Sequence, residues 1–362
     1  MNKKIKFENC LYVLFSIIGI IYGLYAILKL DAQKIRIFDT TLGGIVLIMV
    51  FMILLIMKIV LLVLKKNQKI QRILFYICIS VISIVAIDVI FLGIIRSFID
   101  ALNLSKKPTS LDPLNIRIAY IIIVNYKTIL SGIWTTIWLS LAGTIVGLII
   151  SLLFISLKTL EITPVDNEFT AFIKKICHWF VDIYVTVFRG TPMMVQAIII
   201  FYFLPGILSG IFNVDQQILN NILSVKVAGF ITVTLNTTAY LTEVLRGGIE
   251  AIDKGQMEAS RSLGMTRGQA MRFVILPQCM KNSLPAIGNE FIINIKDTSV
   301  LSVISVMDLF FIIDSINKRN ASQDGIFIAA IVYLVLTLGI SKLLSIVEKK
   351  MNLQTKPLPS SN

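Results

Sequence analysis

The segment TILSGIWTTIWLSLAGTIVGLIISLLFISL, Thr128–Leu157, runs for 30 residues without a charge. A helix of about 20 residues crosses the hydrocarbon core of a bilayer, whereas a membrane strand needs only about 10 and alternates in polarity. This segment does not alternate. In lipid a helix satisfies its own backbone hydrogen bonds, so the segment reads as a spanning helix. Comparable runs lie on both sides of it. They are Leu11–Leu28, Gly43–Leu64 with only Lys58, Ile73–Ile95 with only Asp88, Gly190–Val214, Val227–Thr242 and Gly325–Ser341. One more, Thr298–Ile313, is interrupted by Asp308 and is expected to begin near Phe291. The expected fold is all-α and integral to the membrane, with about eight transmembrane helices.

Composition agrees. Of 362 residues, 56% are hydrophobic and 15% charged, and mean hydropathy is +0.84. Soluble domains keep about a quarter of their residues charged, which argues against a soluble enzyme or secreted module. The net charge of +13 reads as loop bias and not as a nucleic-acid surface. With a cytoplasmic N-terminus, nineteen of the 34 Lys and Arg fall in inside segments and eleven in outside ones. That bias places both termini in the cytoplasm. The first run is too long for a signal-peptide core, and no small-residue cleavage site follows it. Cys10, Cys78, Cys177 and Cys279 are scattered without paired spacing and read as apolar fillers. A single histidine, His178, leaves no basis for a His-built metal or acid–base site.

A polar stretch at residues 99–117, around Lys106, Lys107, Pro108 and Pro113, separates three N-terminal spans from five C-terminal ones. The expected organisation is an accessory region 1–117, a core 118–350 with a cytoplasmic loop 246–282, and a cytoplasmic tail 351–362. Asp88 is the only acid within the first three spans. Facing the bundle, paired with a hydroxyl or with Arg96, is the expected reading over a role in transport.

The loop, RGGIEAIDKGQMEASRSLGMTRGQAMRFVILPQCMKN (Arg246–Asn282), is the most informative connection. Its spacing predicts a helix over Lys254–Leu263 stopped by Gly264. A second helix is predicted from Thr266, whose spacing to Gln269 fits a capping box. Ala270, Phe273, Val274 and Leu276 would form one face of it, and Pro277 would end or bend it. Small residues at Ala259 and Ser260, beside a glycine bend, permit a partner surface to approach closely and suggest a docking element.

The pattern Glu258-Ala259-Ser260, three residues, Gly264, nine residues, Val274-Ile275-Leu276-Pro277 resembles the EAA loop (E-A-A-x3-G-x9-I-x-L-P) of bacterial ABC importer permeases. Ser260 and Val274 are conservative departures. Further segments are similar to the polar amino-acid uptake subfamily: Phe188-Arg189-Gly190-Thr191-Pro192-Met193-Met194-Val195-Gln196; Leu235-Asn236-Thr237-Thr238-Ala239-Tyr240 with Glu243-Val244-Leu245-Arg246-Gly247-Gly248-Ile249; Lys254-Gly255-Gln256; Asn289-Glu290-Phe291-Ile292; and Lys296-Asp297-Thr298-Ser299. These occur in the family's order over about Asn125–Lys350, and the resemblance does not reach the first hundred residues.

The resemblance implies a five-helix permease core of an ATP-driven importer of polar or charged amino acids in the bacterial cytoplasmic membrane. It implies three partners besides lipid: an ABC ATP-binding subunit carrying ATP and magnesium, an extracellular amino-acid-binding protein and a second permease chain. The coupling loop would present Gly255, Glu258, Ala259, Ser260, Leu263, Gly264 and Pro277. No cofactor, metal or nucleic acid is expected on the chain. It has no phosphate-binding G-x-x-x-x-G-K-[ST] loop, so it is not expected to be an enzyme. Polar groups at membrane depth nominate a substrate path: Thr191 and Gln196; Asn236 and Tyr240; and Lys296, Asp297, Thr298 and Ser299. Lys296 and Asp297 would point about 100° apart on a continuous helix, so at least one would face protein or water; the alternative is that the pair lies near the cytoplasmic interface, where Lys snorkels. Glu243 and Arg246 suit a helix-end ion pair. Gly143-x-x-x-Gly147 suits close helix packing. The alternative, a secondary transporter or channel driven by an ion gradient, would be expected to show internal repeats and broken helices in both halves, which the sequence does not.

Overall fold

In a computed structural model, the described residues are 48–54, 56, 73, 76, 77, 79–83, 93–104, 106–163 and 166–350. The run Leu11–Leu28, Asp88 and the tail 351–362 lie outside them. Two compact units are distinguished, residues 1–124 and 125–362. In the first, α1 (Gly93–Leu102) presents Ser97 Oγ, which accepts a 2.7 Å hydrogen bond from Asn115 Nδ2. The connection that follows is a tight turn. Asp112 accepts from the Thr109 N–H at 2.6 Å, and the Arg117 guanidinium donates to the Ser110 carbonyl at 2.6 Å.

The helices after α1 are α2 (Leu114–Lys158), α3 (Glu168–Gly190), α4 (Met193–Phe212), α5 (Gln216–Ile222) and α6 (Val225–Glu250). Then come α7 (Lys254–Ser262), α8 (Arg267–Ile304), α9 (Leu309–Asn320) and α10 (Gly325–Lys350). Among the described residues α2, α4 and α10 are long and apolar enough to cross a membrane. Counting α5 with α6, bent by 69°, and α8 with α9, bent by 51°, as single spans raises this to five. No strand occurs among the described residues, and the fold is all-α and membrane-integral.

Small residues let α2 and α6 approach closely. A Cβ on Gly143 would lie 2.5 Å from Val233 Cγ1, and one on Gly147 would lie 3.1 Å from Thr237 Cβ. The glycine spacing thus places backbone against backbone, the usual device where lipid removes the hydrophobic drive for helix association. Asn294 on α8 completes the junction. Its amide donates to Thr144 Oγ1 on α2 and to Thr237 Oγ1 on α6, both at 2.9 Å. Three helices are therefore joined through one buried side chain.

Several expectations are corrected. Pro277 does not end the second loop helix. Met271–Ile275 forms a π-helical turn, with the Leu276 N–H bonded to the Met271 carbonyl, and the helix continues through Pro277. The wider turn lies immediately before a residue that has no N–H to donate. It also rotates the surface, so Ala270 and Ile275 are buried while Phe273 is 63% exposed. The expected run near 291–313, interrupted at Asp308, is the end of α8, a break and α9, bent by 51°. Ser305 is left-handed at φ 65°, and Asp308 caps α9 by accepting from the Phe311 N–H at 2.9 Å. Finally, residues 168–190, read as part of an inside segment, form a 23-residue helix. Its exposed Phe169, Phe172, Ile173, Ile176, Phe180, Ile183 and Val187 recur at helical spacing.

Candidate functional site

The loop between α6 and α8 is built by caps. Asp253 opens α7 by accepting from the Gly255 N–H at 2.8 Å. Gly264 closes it at φ +84°. The Gly264 N–H reaches the Arg261 carbonyl and the Met265 N–H the Ser260 carbonyl, at 3.0 and 3.2 Å, a Schellman turn that needs a residue without a Cβ penalty. Thr266 and Gln269 then form the reciprocal capping box that starts α8. The two helices touch through Gln278 Nε2, which donates to Gln256 Oε1 at 3.3 Å.

The arrangement leaves a protruding apolar tip. Leu263 is 82% exposed, and Gly255, Glu258, Ala259, Gly264 and Pro277 are exposed as well. Ser260 is buried and donates to the Gln256 carbonyl, so it packs the knob from inside and leaves the outer face to its neighbours. A small-residue surface around one large apolar side chain is suited to entering a groove on another protein.

The polar groups nominated at membrane depth fall into separate places. Thr191, Gln196 and Asn236 meet at the break between α3 and α4. Pro192 has no N–H, so the Phe188 carbonyl loses its helical donor. Thr191 is extended (φ −120°, ψ 143°), as a residue before proline tends to be. The Gln196 amide nitrogen lies 2.9 Å from the Phe188 carbonyl, 3.0 Å from the Thr191 carbonyl and 2.9 Å from Thr191 Oγ1. Asn236 on α6 donates to Gln196 Oε1 at 3.2 Å and approaches the Phe188 carbonyl at 3.4 Å. These three residues replace a missing backbone bond and fasten the break to α6.

Tyr240 lies one turn further along α6, with the Arg189 guanidinium 5.6 Å from its ring centre. Arg189 also approaches Glu243 at 3.6 Å. Glu243 pairs with Arg246 at 3.0 Å, and Arg246 with Glu250 at 2.5 Å. The expected helix-end pair is therefore part of a four-residue charge chain joining α3 to α6.

Lys296, Asp297, Thr298 and Ser299 do not line one face. Lys296 and Asp297 are exposed at the end of the α-helical part of α8. Thr298 begins a 3-10 segment, is fully buried and donates to the Ile295 carbonyl at 3.0 Å. Tightening of the helix turns Thr298 inward, and Ser299 is half-buried. Two residues not nominated as site residues belong to this region. Asn294 forms the three-helix junction above, and Glu290, one turn before it, is a buried carboxylate with no hydrogen bond or ion pair among the described residues. A polar residue inside the apolar stretch Phe291–Ile295 was the available signal for Asn294.

A sequence family described as "Binding-protein-dependent transport system inner membrane component" matches residues 169–353. The arginine transport system permease protein ArtQ of Bacillus subtilis is 34% identical over 232 residues, which are 62% of this chain and 92% of that protein. The glutamine transport system permease protein GlnP of Escherichia coli is 31% identical over 230 residues, 62% and 93% respectively. A crystal structure of an amino acid ABC transporter with histidines aligns at 34% identity and a TM-score of 0.53, covering 64% of this chain and 98% of that one. A structure of the MetNI methionine ABC transporter aligns at 16% identity and a TM-score of 0.50, a likeness of fold.

Proposed function

Because the chain belongs to the family of binding-protein-dependent transport system inner membrane components, we propose that it is the permease of an ATP-driven importer of polar or charged amino acids. The family's members are membrane subunits and not enzymes. In this reading ATP and magnesium act on a separate ATP-binding subunit docked on the loop at Gly255, Glu258, Ala259, Ser260, Leu263, Gly264 and Pro277. An extracellular amino-acid-binding protein delivers substrate, and a second permease chain completes the pathway. The membrane is the bacterial cytoplasmic membrane, with both termini inside. Residues 1–117 form an accessory unit of three helices, 118–350 the core and 351–362 a tail. Arginine and glutamine in the relatives' names support an amino acid as cargo.

The observation that carries the proposal is α8. It starts at the capping box beside the exposed Leu263 and continues to Ile304, about 55 Å away at helical rise. Asn294 ties the same helix to α2 and α6. A displacement imposed on the loop therefore reaches the membrane core through one continuous element. Lys296, Asp297, Ser299 and Glu290 on α8 offer polar contacts for a zwitterion, whereas Thr191, Gln196 and Asn236 are engaged at the α3–α4 break and Tyr240 lies against Arg189. The unpaired Glu290 carboxylate suits the α-ammonium group that every amino acid carries.

The test is reconstitution of the full chain in proteoliposomes with an ATP-binding subunit of the same system and its binding protein. Leu263→Asp is expected to abolish capture of the ATP-binding subunit while membrane insertion persists. Normal capture by that variant would remove the docking role.

A further inference from the structure

The end of α2, the connection to α3 and the start of α8 enclose a cleft of about 600 Å3, within the size range that holds small polar ligands. Its walls include Leu160 and Met271 on the apolar side and Glu161, Lys174, Arg267 and Arg272 on the polar side. Charge is unbalanced there. Arg267 pairs with Glu161, and Lys174 pairs with Asp166 at 2.7 Å. Arg272 has no acidic partner among the described residues and lies 5.5 Å from the Phe273 ring centre. Three cations and one acid line the cleft, and with Lys174 neutralised by Asp166 behind it one positive charge remains for a monoanionic ligand.

The surroundings point to where that ligand comes from. Lys174 belongs to α3, whose outward face bears the exposed Phe169, Phe172, Ile173, Ile176 and Trp179. An apolar stripe with a tryptophan, on a helix whose other face holds lysines, lies at the boundary between headgroups and acyl chains. Phe273, 63% exposed, extends the apolar surface from α8. We propose that the cleft binds the phosphodiester headgroup of an anionic phospholipid, with the Arg272 guanidinium on the phosphate and the acyl chains along the apolar face of α3. A bidentate guanidinium suits a phosphate better than an ammonium does. The lipid would bridge the α2–α3 connection to the root of the docking loop, so that membrane composition sets how firmly the loop is held.

The experiment uses the full-length chain alone in detergent, without an ATP-binding subunit or amino acid, so that its outcome is independent of the transport reading. Phosphatidylglycerol and phosphatidylcholine are titrated and the retained lipid is counted by native mass spectrometry. Saturable retention of phosphatidylglycerol over phosphatidylcholine is expected. Arg272→Gln should weaken it about fivefold, the effect of one basic residue at an anionic surface, Arg272→Lys less, and Lys349→Gln not at all. Equal retention of both lipids, or wild-type retention by Arg272→Gln, would overturn the proposal. So would displacement of the lipid by soluble glycerophosphoglycerol at matched concentration, which would make this a site for a free anion.

Discussion

Replacing Gly264 by valine tests whether the shape of the docking loop matters. At φ +84° the residue sits in the left-handed region, and no atom lies within 4 Å of where a Cβ would be. A Cβ would therefore meet no neighbour, and there remains the penalty of the backbone. For an L-residue this is about 1–2 kcal/mol, which is about 5- to 30-fold in the population of the native turn. The two hydrogen bonds that close α7, to the Arg261 and Ser260 carbonyls, are lost in the alternatives. Affinity of the ATP-binding subunit for the full chain in nanodiscs should fall by that factor, since only the closed turn presents Leu263 beside Ala259. Gly264→Asn, which tolerates the left-handed region, should fall far less. Membrane insertion should be unchanged in both. Wild-type affinity and import for Gly264→Val would show that the turn geometry is irrelevant to docking.

Asn294→Leu removes the bridge to Thr144 and Thr237, and at about 0.6 kcal/mol per interhelical bond in membranes it should lower unfolding stability in mixed micelles by about 1 kcal/mol, whereas an unchanged unfolding midpoint would deny the junction. Gln196→Leu leaves the Phe188 and Thr191 carbonyls short of donors and should cost about 1–3 kcal/mol, read in the same assay, with a neutral result showing that the break needs no amide. Asp166 outside the spans is held below its ordinary value of 3.8 by the Lys174 ammonium and the Thr163 N–H. Its contribution to the α2–α3 connection is thus present above that value and lost as pH falls through the lower folded one, so Asp166→Asn should flatten acid-induced exposure of the connection to hydrogen exchange.

Features set by local chemistry were readable without coordinates. The Thr266–Gln269 box, the Gly264 stop and the Glu243–Arg246 pair each depend on residues three or fewer positions apart, or on one backbone angle. The glycines at 143 and 147 were readable as a packing surface but not as a seat for α6, because the partner lies about 90 residues away in sequence. Thr191, Gln196 and Asn236 were legible as a polar group, yet their task of restoring the donor that Pro192 lacks required the fold to bring α6 to the break. The helix 168–190 escaped because Lys174, Lys175 and Asp182 masked its apolar stripe when charge-free runs were the criterion. Continuity through Pro277 escaped because a π turn leaves no mark in helical periodicity.

The central claim is that transport through this chain is powered by nucleotide hydrolysis on a partner bound at the α7 knob. The most direct measurement is amino-acid uptake into proteoliposomes without ion gradients, with the chain supplied with its binding protein and with a hydrolysing or a hydrolysis-deficient ATP-binding subunit. Uptake with the hydrolysing subunit alone, abolished by Leu263→Asp, is the predicted result. Uptake by the chain without any ATP-binding subunit, driven by an imposed ion gradient, would contradict it.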